Sequence, residues 1–267
     1  MLNAIQRNAS RFLVAGLTIG LLLSSAAPAA GLNDTGQQTC DDGFGALVVC
    51  TVANTGDAAT YPGQDGRYGR DAAATAGALT KTGGGAAGFD FTALNATGAP
   101  TTPTSGATPH PCVRDNTTGL TWEVKTDDGS LRDKDWTYTW YSTDGATNGG
   151  NAGNNSVTTT CGGTLASCNT QDYIAAVNTA PGLCNFTDWR LPSVRELQTL
   201  VHYGALNPAI DTTYIPNTAS HQHWSALSYG PDPAFAWSIY FVDGSGIPYH
   251  KSTFGGFRAR LVRGEQF

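Results

Sequence analysis

Three kinds of side chain in this sequence have the types and spacing to do chemistry: cysteines, neighbouring histidines and clustered carboxylates. The six cysteines are Cys40, Cys50, Cys112, Cys161, Cys168 and Cys184, and no two stand as C-x-x-C. That spacing disfavours a zinc knuckle or a redox pair and favours disulfides. Cys40 and Cys50 flank Asp41-Asp42-Gly43, which can turn a hairpin, and Cys161 and Cys168 bracket Gly162-Gly163-Thr164. Those two pairs leave Cys112 with Cys184; Cys112–Cys161 with Cys168–Cys184 is the rival arrangement. His221-Gln222-His223 offers two ligand nitrogens without a third placed ligand. Asp127-Asp128 and Asp133-Lys134-Asp135 lack EF-hand spacing and read as solvated loop charges. We therefore assign no metal and no cofactor. Asp188 and Glu196 are the one carboxylate pair suggestive of acid–base work, but Glu196 is explained below by a helix cap. With no G-x-S-x-G, H-E-x-x-H or P-loop string, the chain reads as no enzyme.

The elements that must position these groups follow from local patterns. Asp188-Trp189-Arg190-Leu191-Pro192-Ser193-Val194-Arg195-Glu196-Leu197 ends an extended segment at proline and starts a helix. Ser193 with Glu196 three residues on is the S-x-x-E capping box, and Leu197, Leu200 and Val201 give one apolar face. A second helix is expected around Tyr173–Val177, with Thr170 as its cap. Gly119–Val124 alternates apolar and polar residues and reads as a half-buried strand after the turn Asp115-Asn116-Thr117-Thr118-Gly119. Asn148–Ser156 is a Gly/Asn loop without an apolar anchor. Trp237–Val242 reads as a strand, Asp243–Gly246 as its turn, and Phe257–Val262 as a closing strand. Trp122, Trp189 and Trp237 fit core positions better than exposed platforms, and Arg190 fits a structural contact.

Compartment and class come from the ends and the composition. Arg7 and Arg11 precede an apolar run, Phe12–Leu23, and small residues follow. A membrane span needs roughly 20 apolar residues, so this run reads as a secretory signal, residues 1–29, cut after Ala29 in Ala27-Pro28-Ala29. Losing Arg7 and Arg11 and no acid takes the formal charge from −6 to −8. That balance argues against nucleic acid, which needs clustered Lys and Arg. Arg258, Arg260 and Arg263 form the one local cluster for a polyanion. Residues 30–98 are Gly/Ala/Thr-rich, with apolar islands at Ala46–Val49 and Phe89–Phe91, and read as irregular. Residues 99–111 are a Thr/Pro-rich connector expected to be extended and exposed. All six tryptophans lie in 112–267, where two helices and short antiparallel strands predict one α+β domain.

Several strings in order carry a resemblance. Asp115–Glu123, the DWRLPSVREL string, Pro216-Asn217-Thr218, His223-Trp224-Ser225, Ala236-Trp237 and Arg260–Gly264 together resemble the bacterial family named for the C-terminal domain of the Legionella collagen-like adhesin. Asp34-Thr35-Gly36-Gln37 and Tyr61-Pro62-Gly63-Gln64-Asp65 look like elements that accompany that domain. The resemblance implies a C-type-lectin-like fold of the formylglycine-generating-enzyme type in an exported or surface protein, and the named adhesin binds glycosaminoglycan-like polymers. That enzyme holds copper with late cysteines, and no cysteine follows Cys184 here. The lectin calcium strings Glu-Pro-Asn and Trp-Asn-Asp are missing too. In such a fold the late strands and their loops are the surface free to vary, which maps to Tyr240, Asp243, Ser245, Tyr249, His250, Lys251, Phe254 and Phe257. The expected function is a non-catalytic binding module for a carbohydrate or surface polymer in adhesion, secreted, at the cell surface or periplasmic, without membrane insertion. The alternatives are a component of an extracellular filament or matrix, with a second copy as partner, and an enzyme of unknown chemistry on the same fold.

Overall fold

The computed structural model describes residues 32–50, 63–155, 160–253 and 255–265. The signal segment 1–29, Tyr61-Pro62 and Phe254 lie outside the described residues.

Among the described residues, three antiparallel sheets and three short α-helices make a mixed α+β architecture. Strands β1 (Thr39–Asp41) and β2 (Leu47–Val49) form a hairpin. A 3-10 turn, Asp65–Arg67, leads into helix α1 (Gly69–Thr75). Strands β3 (Phe91–Leu94), β4 (Cys112–Asp115) and β5 (Thr121–Glu123) pair in order with a last strand, β9 (Val262–Arg263). Helices α2 (Thr170–Val177) and α3 (Val194–Gln198) precede a meander of β6 (Gln222–Ser228), β7 (Phe235–Tyr240) and β8 (Ser245–His250). No helix among the described residues is long and apolar enough to cross a membrane.

The β4–β5 turn forms as its residues require. Asp115 Oδ1 accepts hydrogen bonds from the amides of Thr117 (2.9 Å) and Thr118 (3.3 Å), and Gly119 takes φ +78°. The strand that follows is not half-buried. Thr121, Trp122 and Glu123 are all buried: Trp122 points into one core, Glu123 lies beside Cys112 under another, and Thr121 is flanked by Arg114 and Arg263. Val113, Trp122 and Val262 point to a first core with Leu197, Ile239 and Phe241. Leu94 and Cys112 face a second core with Tyr138, Tyr173 and Trp189. A third, around Trp140, Trp224 and Phe257, lies under the meander.

The disulfides are Cys40–Cys50, Cys112–Cys184 and Cys161–Cys168, and no cysteine is free. The first staples the hairpin β1–β2, and the second ties β4 to the chain beyond α2.

The capping box at Ser193 forms: Ser193 Oγ accepts from Glu196 N (3.2 Å), and Ser193 N donates to Glu196 Oε2 (2.7 Å). The helix stops at Gln198, so Leu200 and Val201 are buried from the turn beyond it. Helix α2 is capped by Asn169, whose Oδ1 accepts from Asp172 N at 2.8 Å. Thr170 is already inside the helix and bonds Tyr141 instead. The closing stretch 257–262 is mostly isolated bridges, Tyr138–Phe257 and His223–Arg258, before β9.

The described residues between 32 and 98 are more ordered than their composition predicts. Helix α1 was not expected, and Phe89 and Phe91 are 1% exposed in the first core, with β3 as the edge strand of the main sheet. Two bulky rings in a Gly/Ala-rich stretch suffice to recruit it. The stretch 99–111 therefore links neighbouring strands of one sheet rather than spacing two bodies apart. Its ends are tied down: Thr101 N donates to Ala93 O (2.8 Å), and buried His110 has its Nε2 2.9 Å from Tyr214 O.

Candidate functional site

The late-strand surface read from the sequence does not come together. Cross-strand partners share a face and alternate along the chain. Tyr240 pairs with Ser245 and Ala236 with Tyr249, so Tyr240, Ser245 and Tyr249 share one face of the meander. His250 pairs with Phe235 on the other face, where their rings meet edge to face at 5.3 Å. Asp243 stays in the turn, accepting from Ser245 N (2.9 Å) and Oγ (2.7 Å). Phe257 is buried against Trp224 and Tyr249. Lys251 is buried as well: its Nζ lies 4.0 Å from the Trp140 ring centre and donates to Asn148 O, Asn151 O and Ser228 Oγ at 2.6–2.9 Å. Burial pushes that amine down to about 8.

The arginine cluster also divides. Arg260 is fully buried, donating to Glu123 O (2.6 Å) and Thr218 Oγ1 (2.8 Å). It belongs to a buried polar knot in which Lys125 Nζ reaches Glu123 Oε1 (3.2 Å) and Tyr173 OH (2.8 Å), and Tyr173 OH donates to Glu123. Burial pushes Lys125 down to about 8 against the pull of Glu123. Arg258 is half-buried. Arg263, also half-buried, lines an open cleft.

There it meets residues that the sequence reading did not single out. The register aligns Thr92 with Arg114, Arg114 with Thr121, and Thr121 with Arg263, so these four form one row across β3, β4, β5 and β9. Two residues along, Leu94, Cys112 and Glu123 lie on the same face beneath the second core. Half of this sheet face is thus covered and half is open. The open half floors a cleft of about 510 Å³ whose walls include Asn116 and Phe186. With strands spaced about 4.8 Å apart, the Arg114 and Arg263 backbones sit about 10 Å apart.

The two guanidinium groups differ in what already holds them. Arg263 Nε donates to Asp188 Oδ1 at 2.7 Å, and its guanidinium carbon lies 3.8 Å from the Phe186 ring centre. That hydrogen bond from Arg263 holds the Asp188 carboxyl below its usual range. Arg114 is exposed, and among the described residues its guanidinium makes no hydrogen bond or ion pair. The Asn116 amide donates to Asp90 Oδ1 and Thr92 Oγ1, both at 2.9 Å, which fixes the far wall. A positioned fork of donors beside hydroxyl groups suits a planar or tetrahedral anion such as a carboxylate or sulfate.

The DWRLP string serves the scaffold. Arg190 grips Glu196 with two bonds, 2.7 and 2.9 Å, and Trp189 N donates to Asn178 Oδ1 at 2.9 Å. Asp188 and Glu196 are therefore both engaged by arginines. Trp122 and Trp189 are buried, and Trp237 is half-buried with its ring edge-on to Tyr229 at 5.2 Å.

Among the described residues, two carboxylate groups have the proximity to hold a cation. Asp127, Asp133 and Asp135 form one, and Lys134 already bridges Asp127 (3.1 Å) and Asp135 (2.8 Å). Asp133 is buried there rather than solvated. The other joins Asp34, Asp65 and Asp71, with Thr35 Oγ1 bonded to Asp65. Asp71 accepts from the amides of Gly36 and Gly88 at 2.7 Å, and burial raises its carboxyl above the usual range. The Asp34–Gln37 and Gly63–Asp65 strings thus meet in space. His223 is buried with its ring edge on Phe241, and its Nδ1 lies 3.0 Å from His221 O.

Residues 111–263 match the family model described as the Lcl C-terminal domain, more than half of the chain. The match starts beside β4 and ends on Arg263, leaving the hairpin, α1 and β3 upstream of it. No curated protein and no solved structure matches the chain.

Proposed function

The chain belongs to the Lcl C-terminal domain family, that of the Legionella collagen-like protein, and from that premise we propose that it is an exported, adhesin-like binding module. Its ligand is a carbohydrate or other surface polymer, held without catalysis on a C-type-lectin-like scaffold. Three disulfides fit a protein that works outside the cytoplasm. They also occupy every cysteine, leaving no thiolate for nucleophilic or copper chemistry.

The observation that carries the reading is the uncovered half of the sheet face, where Arg114 and Arg263 flank Thr121. The chain is acidic overall, so a local pair of guanidiniums, not bulk charge, selects the ligand. Acidic groups on a polymer, carboxylate or sulfate, are its complement.

The test is retention of the mature protein on immobilised sulfated, uronic-acid-containing and neutral polysaccharides at stepped salt. Acidic polymers should be retained, and salt should weaken them. Arg114→Ala should lose at least roughly tenfold in affinity, about one charge-assisted hydrogen bond's worth, with an unchanged melting temperature. Failure to retain any polymer, or parental binding by Arg114→Ala, counts against the reading.

A filament or matrix component is the second reading. Phe44 and Leu47 are 89% and 72% exposed on the stapled hairpin, as an assembly contact requires. Electron microscopy of the native surface separates the two.

A further inference from the structure

A second concavity lies away from the arginine cleft, between the 141–147 segment, α2 and the start of the DWRLP turn. It measures about 360 Å³, within the usual size of small-ligand sites. Its base is apolar, half-buried Ile174 set over buried Leu191 and Trp140, and its rim is polar, with Tyr141, Asp144 and Gln171.

The rim is held in place before any ligand arrives. Thr170 Oγ1 donates to Tyr141 O (2.8 Å) and accepts from Tyr141 N (3.0 Å). Gln171 Oε1 accepts from Thr143 N (2.8 Å) and Oγ1 (3.0 Å). Further on, Lys251 Nζ clasps the carbonyls of Asn148 and Asn151. Three fastenings along one polar loop make a preformed wall, which lowers the ordering cost of binding.

The unused hydrogen-bonding groups define what fits. The Gln171 amide nitrogen and the Tyr141 hydroxyl make no hydrogen bond among the described residues, so both are open to a ligand. The Asp144 carboxylate accepts from Ala146 N (3.0 Å) and Thr147 Oγ1 (3.2 Å) and keeps lone pairs free. Arg190, at the inner end, is neutralised by Glu196. The groove therefore carries no free positive charge and one negative charge, so an anionic group of the kind suited to the other cleft is repelled here. An apolar base with donors and acceptors around the edge matches a pyranose ring, one face C–H and the periphery hydroxyl.

We propose that this groove, walled by residues 141–147 and floored by Trp140, Ile174 and Leu191, is a separate subsite for an uncharged pyranose residue, a reading that rests on the carbohydrate-binding function above. It gives the chain two chemically distinct contacts, one for acidic groups and one for neutral sugar.

The experiment titrates the mature protein with neutral trisaccharides of glucose, galactose, mannose and N-acetylglucosamine, by calorimetry and ligand-observed NMR. At least one should bind. Gln171→Glu keeps the oxygen that anchors Thr143 and removes the free donor, so it should weaken binding roughly tenfold, the effect of one buried hydrogen bond, at unchanged melting temperature. Asp144→Asn keeps one acceptor and removes the charge, so it should weaken binding no more than roughly tenfold, whereas Arg114→Ala should bind within roughly twofold of the parent. No binding by any of the four sugars, or indifference to Gln171→Glu, overturns the subsite. Loss in Arg114→Ala moves the neutral sugar to the arginine cleft, and loss in Asp144→Asn identifies a cationic ligand; both also overturn it. Retention of acidic polymers is read separately on Arg114→Ala, so failure there leaves a neutral-sugar signal interpretable, and the reverse.

Discussion

Glu196 should be worth several times as much as the serine it caps with. Ser193→Ala removes one acceptor from the start of α3 and should cost about 1 kcal/mol. Glu196 does more: its buried carboxylate accepts from Ser193 N at 2.7 Å and from both terminal nitrogens of Arg190 at 2.9 and 2.7 Å. Glu196→Ala therefore strands a buried amide, about 1–3 kcal/mol, and breaks a charge pair. A fully buried pair broken on one side costs about 3–5 kcal/mol. The Arg190 side chain is 28% exposed, so solvent relieves part of that, and the combined loss should be about 3 kcal/mol. Glu196→Gln keeps the acceptor for Ser193 N and loses the charge, which places it between, at about 1–2 kcal/mol. At roughly 2–4 °C per kcal/mol for a chain of this size, the three variants should melt about 3, 9 and 5 °C below the parent. Differential scanning calorimetry with urea titration reads these values, and a double-mutant cycle with Arg190→Ala should return a coupling of about 1–2 kcal/mol. If Glu196→Ala loses no more than Ser193→Ala, the carboxylate is only a cap, and the Arg190 pair contributes nothing to stability.

Three further outcomes are expected. Starting the chain at Cys112 removes β3 with Phe89 and Phe91, so that fragment should bind a hydrophobic dye and show broad unfolding, while a chain starting at Leu32 melts cooperatively. Folded Lys125 and Lys251 both sit near 8 against an ordinary 10.5; the unfolded chain then holds more protons between those values, so stability should rise with pH from 8 to about 10. Above that, Tyr138 and Tyr173, which burial holds protonated, outweigh the opposite contribution of buried Arg260 and reverse the trend; a melting temperature that falls steadily from pH 8 upward would contradict the burial of these amines. Asn169→Ala should lower stability by about 1 kcal/mol through the cap of α2, whereas Thr170→Ala should instead loosen the Tyr141 segment, seen as faster amide exchange there.

What the sequence disclosed was what is local. Ser193 and Glu196 stand three residues apart, so their box is visible in the string itself; so is the turn from Asp115 to Gly119, and the short loops that fit Cys40–Cys50 and Cys161–Cys168. The row Thr92, Arg114, Thr121, Arg263 was not visible, because it exists only through the register of four strands drawn from opposite ends of the chain. Arg260 looked like a partner for Arg263 because proximity in sequence was mistaken for a shared surface, and in the fold its side chain turns inward. The resemblance puts Lys251 on the late-strand surface, in line with the tendency of lysine to be solvated. What overrides that tendency is a polar loop with no apolar residue to hold it, which supplies carbonyl oxygens instead.

That arrangement has a practical consequence. Polar loops bristling with carbonyls are commonly gathered by a divalent ion, which makes them hostage to its concentration and to any chelator nearby. In this chain the gathering cation is an ammonium group carried on the polypeptide itself, stacked on Trp140. It is present at one equivalent by construction and cannot be leached or swapped for a competing metal. The loop between Asn148 and Asn151 should therefore keep its shape in water of any hardness.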